Sequence, residues 1–216
     1  MATRSLQRSI LGVTRSLWLL AALLVLVGSF APATTRHAVA GTCSAWTTSY
    51  GPPPTIRVLR VATQVVENVP FQAYAANVMS WEWPASYPTE ALRAGAVAVK
   101  QYAWYRAMAP RTTATGDCYD VRDDSWDQIY DPSRTPAPSE TAAVADTWPL
   151  TLRKSSTFFL PHYDAGTSTV CGAEVSPSGT WLYQQGAKAC ALAGKSMAEI
   201  LHVYLDPGLT IANAVR

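Results

Sequence analysis

The clearest hydrophobic pattern in the chain lies between Thr89 and Met108. Apolar residues recur there at helical spacing, at Leu92, Ala96, Val99 and Ala103. A narrow stripe of this kind predicts a long helix with one face toward the core. Pro88 suits the first turn of such a helix and Pro110 would stop it.

The remaining pattern predicts shorter elements of both kinds. β-branched and apolar residues indicate strands over 55–66 and 151–160, and helices are expected over 71–79, 140–146 and 196–204. Ser196 and Glu199 form a capping-box sequence at the start of the last helix. Residues 80–84 are interpreted as a break before the long helix. Because no regular βαβ alternation is visible, we predict an α+β fold: one mixed domain over 55–216, preceded by a Pro-rich lead-in over 41–54.

Residues 1–40 form a segment of different composition. They hold four arginines and no acid, an unbroken apolar run over 17–27, and Ala38-Val39-Ala40 before Gly41. This order is typical of a secretory signal peptide. Counted through Phe30 the run is short of the roughly 20 residues that span a bilayer, although an uncleaved signal anchor is an alternative. We expect an extracytoplasmic protein that meets the membrane only through this leader, if the leader is retained.

The charge beyond the leader argues against a nucleic-acid partner. The whole chain has a formal charge of +2, but residues after 40 carry 13 cations and 15 anions. A basic footprint for nucleic acid is therefore missing. The roughly 176 residues that follow the leader are enough to bury one core, so one domain is expected.

All four cysteines follow the leader, and none forms a CxxC pair. An even number in an exported chain indicates disulfides, with three pairings to choose from. We favour Cys171–Cys190, which closes a short loop, and Cys43–Cys118, which ties down the start of the body. Four free thiols are the alternative. Without paired cysteines no zinc site is expected.

Glu82 is the carboxyl with the most distinctive local sequence. Trp81 and Trp83 flank it and Pro84 follows. Indole rings that exclude water would raise the pKa of this carboxyl, so that it could remain protonated and act as a general acid. The same rings offer flat apolar faces on which sugar rings can stack. The alternative is a glutamate that is partly exposed on the surface.

Two other clusters carry weaker signals. An acidic stretch lacks the central glycine and alternating spacing of a calcium loop, so we expect a solvated acidic loop; it contains Asp117, Asp120, Asp123, Asp124, Asp127 and Asp131. His162 and Asp164 follow two serines, but no nucleophile-elbow sequence accompanies them. His162 is therefore interpreted as an ordinary loop histidine.

Four ordered blocks of the sequence resemble the SpoIID/LytB family, the stage II sporulation protein D and amidase-enhancer domains of the bacterial wall. The first block contains Val69-Pro70-Phe71-Gln72-Ala73-Tyr74 and Glu82-Trp83-Pro84-Ala85-Ser86-Tyr87-Pro88-Thr89-Glu90-Ala91-Leu92. It is similar to the family patterns V-P-L-E-x-Y and E-M-P-x-x-W-P-x-E-A-L. The other blocks lie at 120–130, 143–147 and 184–204, so the resemblance covers roughly residues 56–211.

The resemblance implies a cell-wall protein that acts on the glycan strands of peptidoglycan. It implies a SpoIID-type domain with a long helix after the catalytic loop, and lytic transglycosylase activity without a metal or organic cofactor. The family's catalytic glutamate falls on Glu82. We expect glycan contacts from Trp81, Trp83, Arg93, Lys100, Tyr102, Gln128, Tyr130 and Gln184.

Several positions depart from the family pattern. Lys100 stands for an arginine, Gly95 for a glutamine, and Ser178-Gly179 for a His-Gly pair. The family's Gly-Met-Ser is replaced by Trp181-Leu182-Tyr183. These changes favour an alternative function, a non-catalytic glycan-binding module that enhances a cell-wall amidase. An amidase is then a second expected partner beside the glycan.

Overall fold

The computed structural model describes residues 42–49 and 51–214. The predicted leader lies outside these residues. In the described part the helices are α1 (Phe71–Glu82), α2 (Thr89–Ala107), α3 (Pro138–Thr147), α4 (Gln184–Leu192) and α5 (Met197–Leu205). The strands are β1 (Thr55–Arg60), β2 (Val65–Pro70), β3 (Arg111–Thr112), β4 (Cys118–Tyr119), β5 (Val121–Arg122), β6 (Leu150–Lys154), β7 (Thr157–Phe158), β8 (His162–Asp164), β9 (Trp181–Tyr183) and β10 (Leu209–Asn213). The predicted α+β class is confirmed. Among the described residues, no helix has the length and apolar character needed to cross a membrane.

Helix α2 is the centre of the fold, as its apolar stripe predicted. It packs against the other four helices and against the sheet that contains β1. Burial extends well beyond the predicted stripe, because small residues such as Ala94, Gly95 and Ala98 let neighbouring elements approach on several sides. Lys100 and Gln101, which flank the stripe, are buried with it.

Both predicted strand segments turn out to be hairpins. Strands β1 and β2 pair antiparallel, with Ile56 opposite Val69. The turn between them contains Gln64 at a φ of 58°. Strands β6 and β7 are also antiparallel and join through Ser155 and Ser156, which likewise adopt positive φ. The β structure predicted over 55–66 and the strands predicted over 151–160 are therefore present, although the apolar pattern did not locate the polar turn within each hairpin.

The remaining strands form small sheets. Strand β5 runs parallel to β1 at the edge of the β2-β1-β5 sheet, and β10 completes the β10-β6-β7 sheet. Strands β3 and β4 form an antiparallel pair. Strands β8 and β9 form a parallel pair, in which His162 lies opposite Trp181. This last pair joins residues that are far apart in sequence.

Helix α1 is longer than predicted and ends at Glu82, so the expected break over 80–84 is wrong for its first three residues. The residue before a proline is disfavoured in helical geometry. Trp83, which precedes Pro84, is accordingly extended at φ −120° and ψ 107° and caps the helix. Glu82 thus sits on the last turn of a rigid helix.

The favoured disulfides, Cys43–Cys118 and Cys171–Cys190, are both present. The first fastens the lead-in to β4, and the second fastens the loop before β9 to α4. All four cysteines form disulfides. Two disulfides in a chain of this size indicate an oxidising, extracytoplasmic compartment.

Candidate functional site

A groove opens at the C-terminal end of α1. One side is formed by Trp81 and Glu82 of α1 and by the loop that follows β5, and another by β8, β9 and the first residue of α4. Its lining side chains are Trp81, Glu82, Tyr102, Ser125, Trp126, Asp127, Ile129, His162, Tyr163, Asp164, Trp181 and Gln184. Elements that are distant in sequence therefore converge around a single helix end.

Glu82 is held at the base of this groove. Its Oε1 accepts a hydrogen bond of 2.7 Å from the amide of Ile129. Burial raises the pKa of Glu82 to about 7, while the Tyr163 hydroxyl and the Ile129 amide act in the opposite direction. No hydrogen bond of ordinary geometry reaches the buried Oε2. Both the acid and the carboxylate form of Glu82 are therefore accessible near pH 7.

A chain of polar side chains orients Tyr163 beside Glu82. The Gln128 amide nitrogen donates to the carbonyl of Val99 at 3.1 Å and to the Tyr163 hydroxyl at 2.9 Å. Its amide oxygen accepts from the Tyr74 hydroxyl at 3.0 Å. The Val99 carbonyl can only accept, so it fixes which end of the Gln128 amide is the donor. Because the Tyr163 hydroxyl accepts from Gln128, its own proton is available to be donated to Glu82.

The second wall is aromatic. The His162 ring stacks on Trp181 at 4.8 Å between ring centroids with a 20° interplanar angle, and Tyr102 meets His162 edge-on at 6.0 Å. Burial, together with the charge of Arg106, lowers the pKa of His162, which favours a neutral imidazole near pH 7. His162 is therefore a groove residue on β8, and its interpretation as a loop histidine was wrong.

The acidic stretch is less solvated than expected. The Asp127 side chain is fully buried and pairs with Arg111, and it accepts hydrogen bonds from the Tyr102 hydroxyl at 3.0 Å and the Arg122 amide at 2.7 Å. Asp120 is buried in an ion pair of 2.6 Å with Arg57. These carboxylates organise the loop and the groove wall rather than facing water. In the described ranges no group of His, Cys, Asp or Glu is placed to hold a metal ion.

The structure brings four of the nine predicted site residues together in the groove: Trp81, Glu82, Tyr102 and Gln184. The other five do not line it. Arg93 pairs instead with Glu90 at 3.1 Å and with Asp146 of α3 at 3.1 Å. The Arg93 guanidinium is therefore paired with carboxylates of α2 and α3 and does not line the groove.

Lys100 is only 1% exposed and is a structural residue in this fold. Its Nζ donates to the carbonyls of Thr147, Trp148 and Leu150 at 3.0, 2.9 and 2.5 Å. Burial lowers its pKa to about 7, whereas three acceptors favour the ammonium form. The expected contact with glycan is corrected, because the amine closes the junction between α3 and β6.

Gln128 and Tyr130 support the groove from beneath. Gln128 is fully buried in the polar chain described above, and Tyr130 stacks on Tyr74 at 5.3 Å with a 28° interplanar angle. Both are placed to hold Glu82 and its neighbours indirectly. A direct contact with a ligand in the groove is not compatible with their burial.

Trp83 is also buried, and its position explains two departures from the family pattern. A Cβ built on Gly95 would lie 2.5 Å from Cδ2 of the Trp83 ring. The family places Met and Gln where this chain has Trp83 and Gly95. The larger ring is therefore accommodated by a glycine on α2. Of the two indoles predicted to shield Glu82, Trp83 is buried and Trp81 lies at the groove rim.

Sequence reasoning missed Trp126, His162 and Trp181 as groove residues. Trp126 sits in the acidic stretch, where the surrounding aspartates suggested only a solvated loop. Trp181 did carry a signal, because it stands where the family has Gly-Met-Ser. His162 had none, since its place depends on a parallel pairing with a strand near residue 181.

The fold and groove together define an α+β domain in which a general-acid candidate, Glu82, lies in a groove lined by aromatic side chains. A family model described as SpoIID, stage II sporulation protein, matches residues 60–152. This match supports the resemblance recognised from the sequence, and residues 60–152 are similar to the SpoIID family. The matched segment contains Glu82 and α2 but ends before His162 and Trp181. None of the curated proteins compared with the chain matches it.

Proposed function

We propose that the protein is an exported lytic transglycosylase that cleaves peptidoglycan glycan strands, with Glu82 as both acid and base. The observation that carries this proposal is the Glu82 carboxyl in the groove, with its pKa raised to about 7 by burial. The SpoIID match supports the cell-wall and sporulation context. The two disulfides support export to the wall side of the membrane.

One carboxyl is sufficient for the reaction. Protonated Glu82 donates its proton to the glycosidic oxygen as the bond between that oxygen and the anomeric carbon breaks. The resulting carboxylate then takes the proton of the 6-hydroxyl of the same muramyl sugar, whose oxygen attacks the anomeric carbon. A 1,6-anhydro ring forms, Glu82 is protonated again, and no water is consumed.

The contacts of Glu82 suit both halves of this cycle. Burial favours the neutral acid that the first half requires. The Ile129 amide and the Tyr163 hydroxyl favour the carboxylate that the second half requires. Because burial is the larger of these opposing effects, the pKa is raised, but only to about 7.

The test uses purified glycan strands with and without stem peptides and compares the wild type with Glu82→Gln. We expect products that end in anhydro-muramyl groups, each lighter by one water than a hydrolysis product in mass spectrometry. Glu82→Gln should abolish them. Glu67→Gln is a matched control, since Glu67 lies on β2, is 43% exposed and does not line the groove. Equal turnover by Glu82→Gln and wild type would refute the assignment.

The alternative is a non-catalytic module that binds glycan and enhances a wall amidase. The observation that favours it is the altered wall, where Trp181-Leu182-Tyr183 replaces the family's Gly-Met-Ser and Trp181 lines the groove. An enhancer would stimulate amidase equally well as wild type or Glu82→Gln and would release no anhydro ends. A transglycosylase would lose its activity with that substitution.

A further inference from the structure

The groove displays more indole surface than its chemistry at Glu82 requires. Trp126 is 71% exposed and Trp81 is 38% exposed, while Trp181 is half-buried in the wall formed by β9. Large apolar rings that remain exposed beside a concave site indicate a binding surface. Trp81 was already expected to contact glycan, but Trp126 and Trp181 have no role in the acid–base steps.

An arginine side chain lies over one face of Trp126 and another lies over one face of Trp81, on the α1 side of the groove. The Arg122 guanidinium lies 5.6 Å from the centroid of Trp126 and is itself held by Asp124. The Arg134 guanidinium lies 4.9 Å from the centroid of Trp81. Such contacts fix the tilt of an exposed ring before a ligand arrives, which reduces the entropy lost on binding.

Trp181 is fixed in a similar way by a different partner. His162 stacks on it, and Tyr102 in turn packs edge-on against His162. The parallel pairing of β8 with β9 sets this stack, because His162 and Trp181 are register partners. The imidazole is favoured in its neutral form, so the wall presents an uncharged aromatic face.

We propose that Trp126 and Trp181 are sugar-stacking platforms that supply glycan affinity at two separate walls of the groove. The inference rests on the proposed function, since it assumes that amino-sugar strands are what the groove binds. The apolar C–H face of a pyranose ring matches a fixed indole face, and the sugar's hydroxyl and amide groups are left to the polar rim. The half-buried Gln184 and the exposed Asp164 supply hydrogen-bonding groups on that rim.

These platforms take over the binding that polar side chains were expected to provide. Arg93 and Lys100 are committed to contacts within the protein. Trp181 stands at a family departure and lies beyond the matched residues 60–152. The platform at Trp181 is therefore a feature of this chain rather than one carried over from the family.

The test measures the affinity of purified glycan strands for the full chain carrying Glu82→Gln, so that cleavage does not interfere. Trp126→Ala and Trp181→Ala should each weaken binding about tenfold, the loss typical of a truncated aromatic anchor. Leu192→Ala is the matched control, because Leu192 is 69% exposed on α4 and does not line the groove. Bound strands should also reduce acrylamide quenching of the tryptophan fluorescence, and this protection should be smaller in Trp126→Ala.

The outcomes separate this inference from the proposed function. Affinities of both tryptophan variants within twofold of the Leu192→Ala value would overturn the platforms, even if wild type cleaves glycan. Failure of the Glu82→Gln chain to bind strands would overturn them as well. Tenfold losses in a protein that releases no anhydro ends would sustain the platforms and reject the transglycosylase.

Discussion

The packing of Trp83 against Gly95 gives a prediction that depends on no assumption about activity. In Gly95→Ala the new Cβ would lie 2.5, 2.6 and 2.8 Å from three ring atoms of Trp83. The ring is fully buried and follows the fixed end of α1, so it cannot move aside cheaply. Overpacking of this kind costs about 1–3 kcal/mol, against a gain of up to about 1 kcal/mol in helix propensity. We expect a net loss of up to about 2 kcal/mol.

The reasoning is tested by a double-mutant cycle with Trp83→Met. Methionine leaves room for the new methyl group, and it removes an indole N–H that is buried without a partner. The double variant should therefore be more stable than the sum of the single losses by about 1 kcal/mol or more. Urea unfolding followed by circular dichroism gives all four free energies.

A control cycle replaces Trp104, which is buried on the same helix but is not among the atoms nearest to Gly95. Trp104→Met and Gly95→Ala should be additive within about 0.5 kcal/mol. If the Trp83 cycle were equally additive, the steric explanation for the two family departures would be refuted.

Three further predictions concern groups inside the fold. Tyr163→Phe removes a donor that lowers the pKa of Glu82, so the high-pH limb of kcat/KM should move to higher pH; an unchanged limb or a downward shift would contradict this. Lys100→Met should lower the free energy of unfolding by about 2–4 kcal/mol, because three carbonyls lose their donor, with little change in the KM for glycan. Raised KM with full stability would instead restore Lys100 as a glycan contact. Replacing Cys43 and Cys118 by serine should lower the free energy of unfolding by about 1 kcal/mol more than removing Cys171–Cys190, because the two disulfides close loops of 75 and 19 residues. Equal losses in chemical unfolding would contradict the chain-entropy explanation.

The sequence was informative where local pattern and covalent constraint decide the structure. The stripe along α2 predicted the central helix, and the two disulfides matched the favoured pairing. Glu82 was singled out by its neighbours alone and was found at the base of the groove. In each case the signal lay within a few residues, or depended on counting cysteines in an exported chain.

The roles of charged residues could not be read in the same way. Lys100 lies on the face of α2 next to the apolar stripe that packs into the core. On most helices a side chain at such a position faces solvent or a ligand. Here α3 and β6 cover it, and its amine satisfies three carbonyls at the junction between them. The sequence shows the small residues of α2 that allow close packing, but it does not show which elements pack against them.

The groove wall was hidden for a related reason. His162 and Trp181 meet only because β8 and β9 pair in parallel, and no local periodicity reports such a pairing. Nor did the aspartates around Trp126 reveal which of them would be buried. Asp127 became a fixed part of the wall because Arg111 and the Tyr102 hydroxyl reach it from elements distant in the chain.

The bonding of Asp127 argues against a mechanism in which this residue pairs with Glu82 as a second catalytic carboxyl. The Asp127 oxygens are occupied by Arg111, the Tyr102 hydroxyl and the Arg122 amide, which leaves this group poorly suited to activate water. Burial is the largest cause of the raised pKa of Glu82, and no neighbouring carboxylate contributes to it. A paired mechanism would need a second carboxyl free to act as base or nucleophile on the sugar. A mechanism that returns the proton to Glu82 needs only one carboxyl, and Glu82 lines the groove with its pKa raised to about 7.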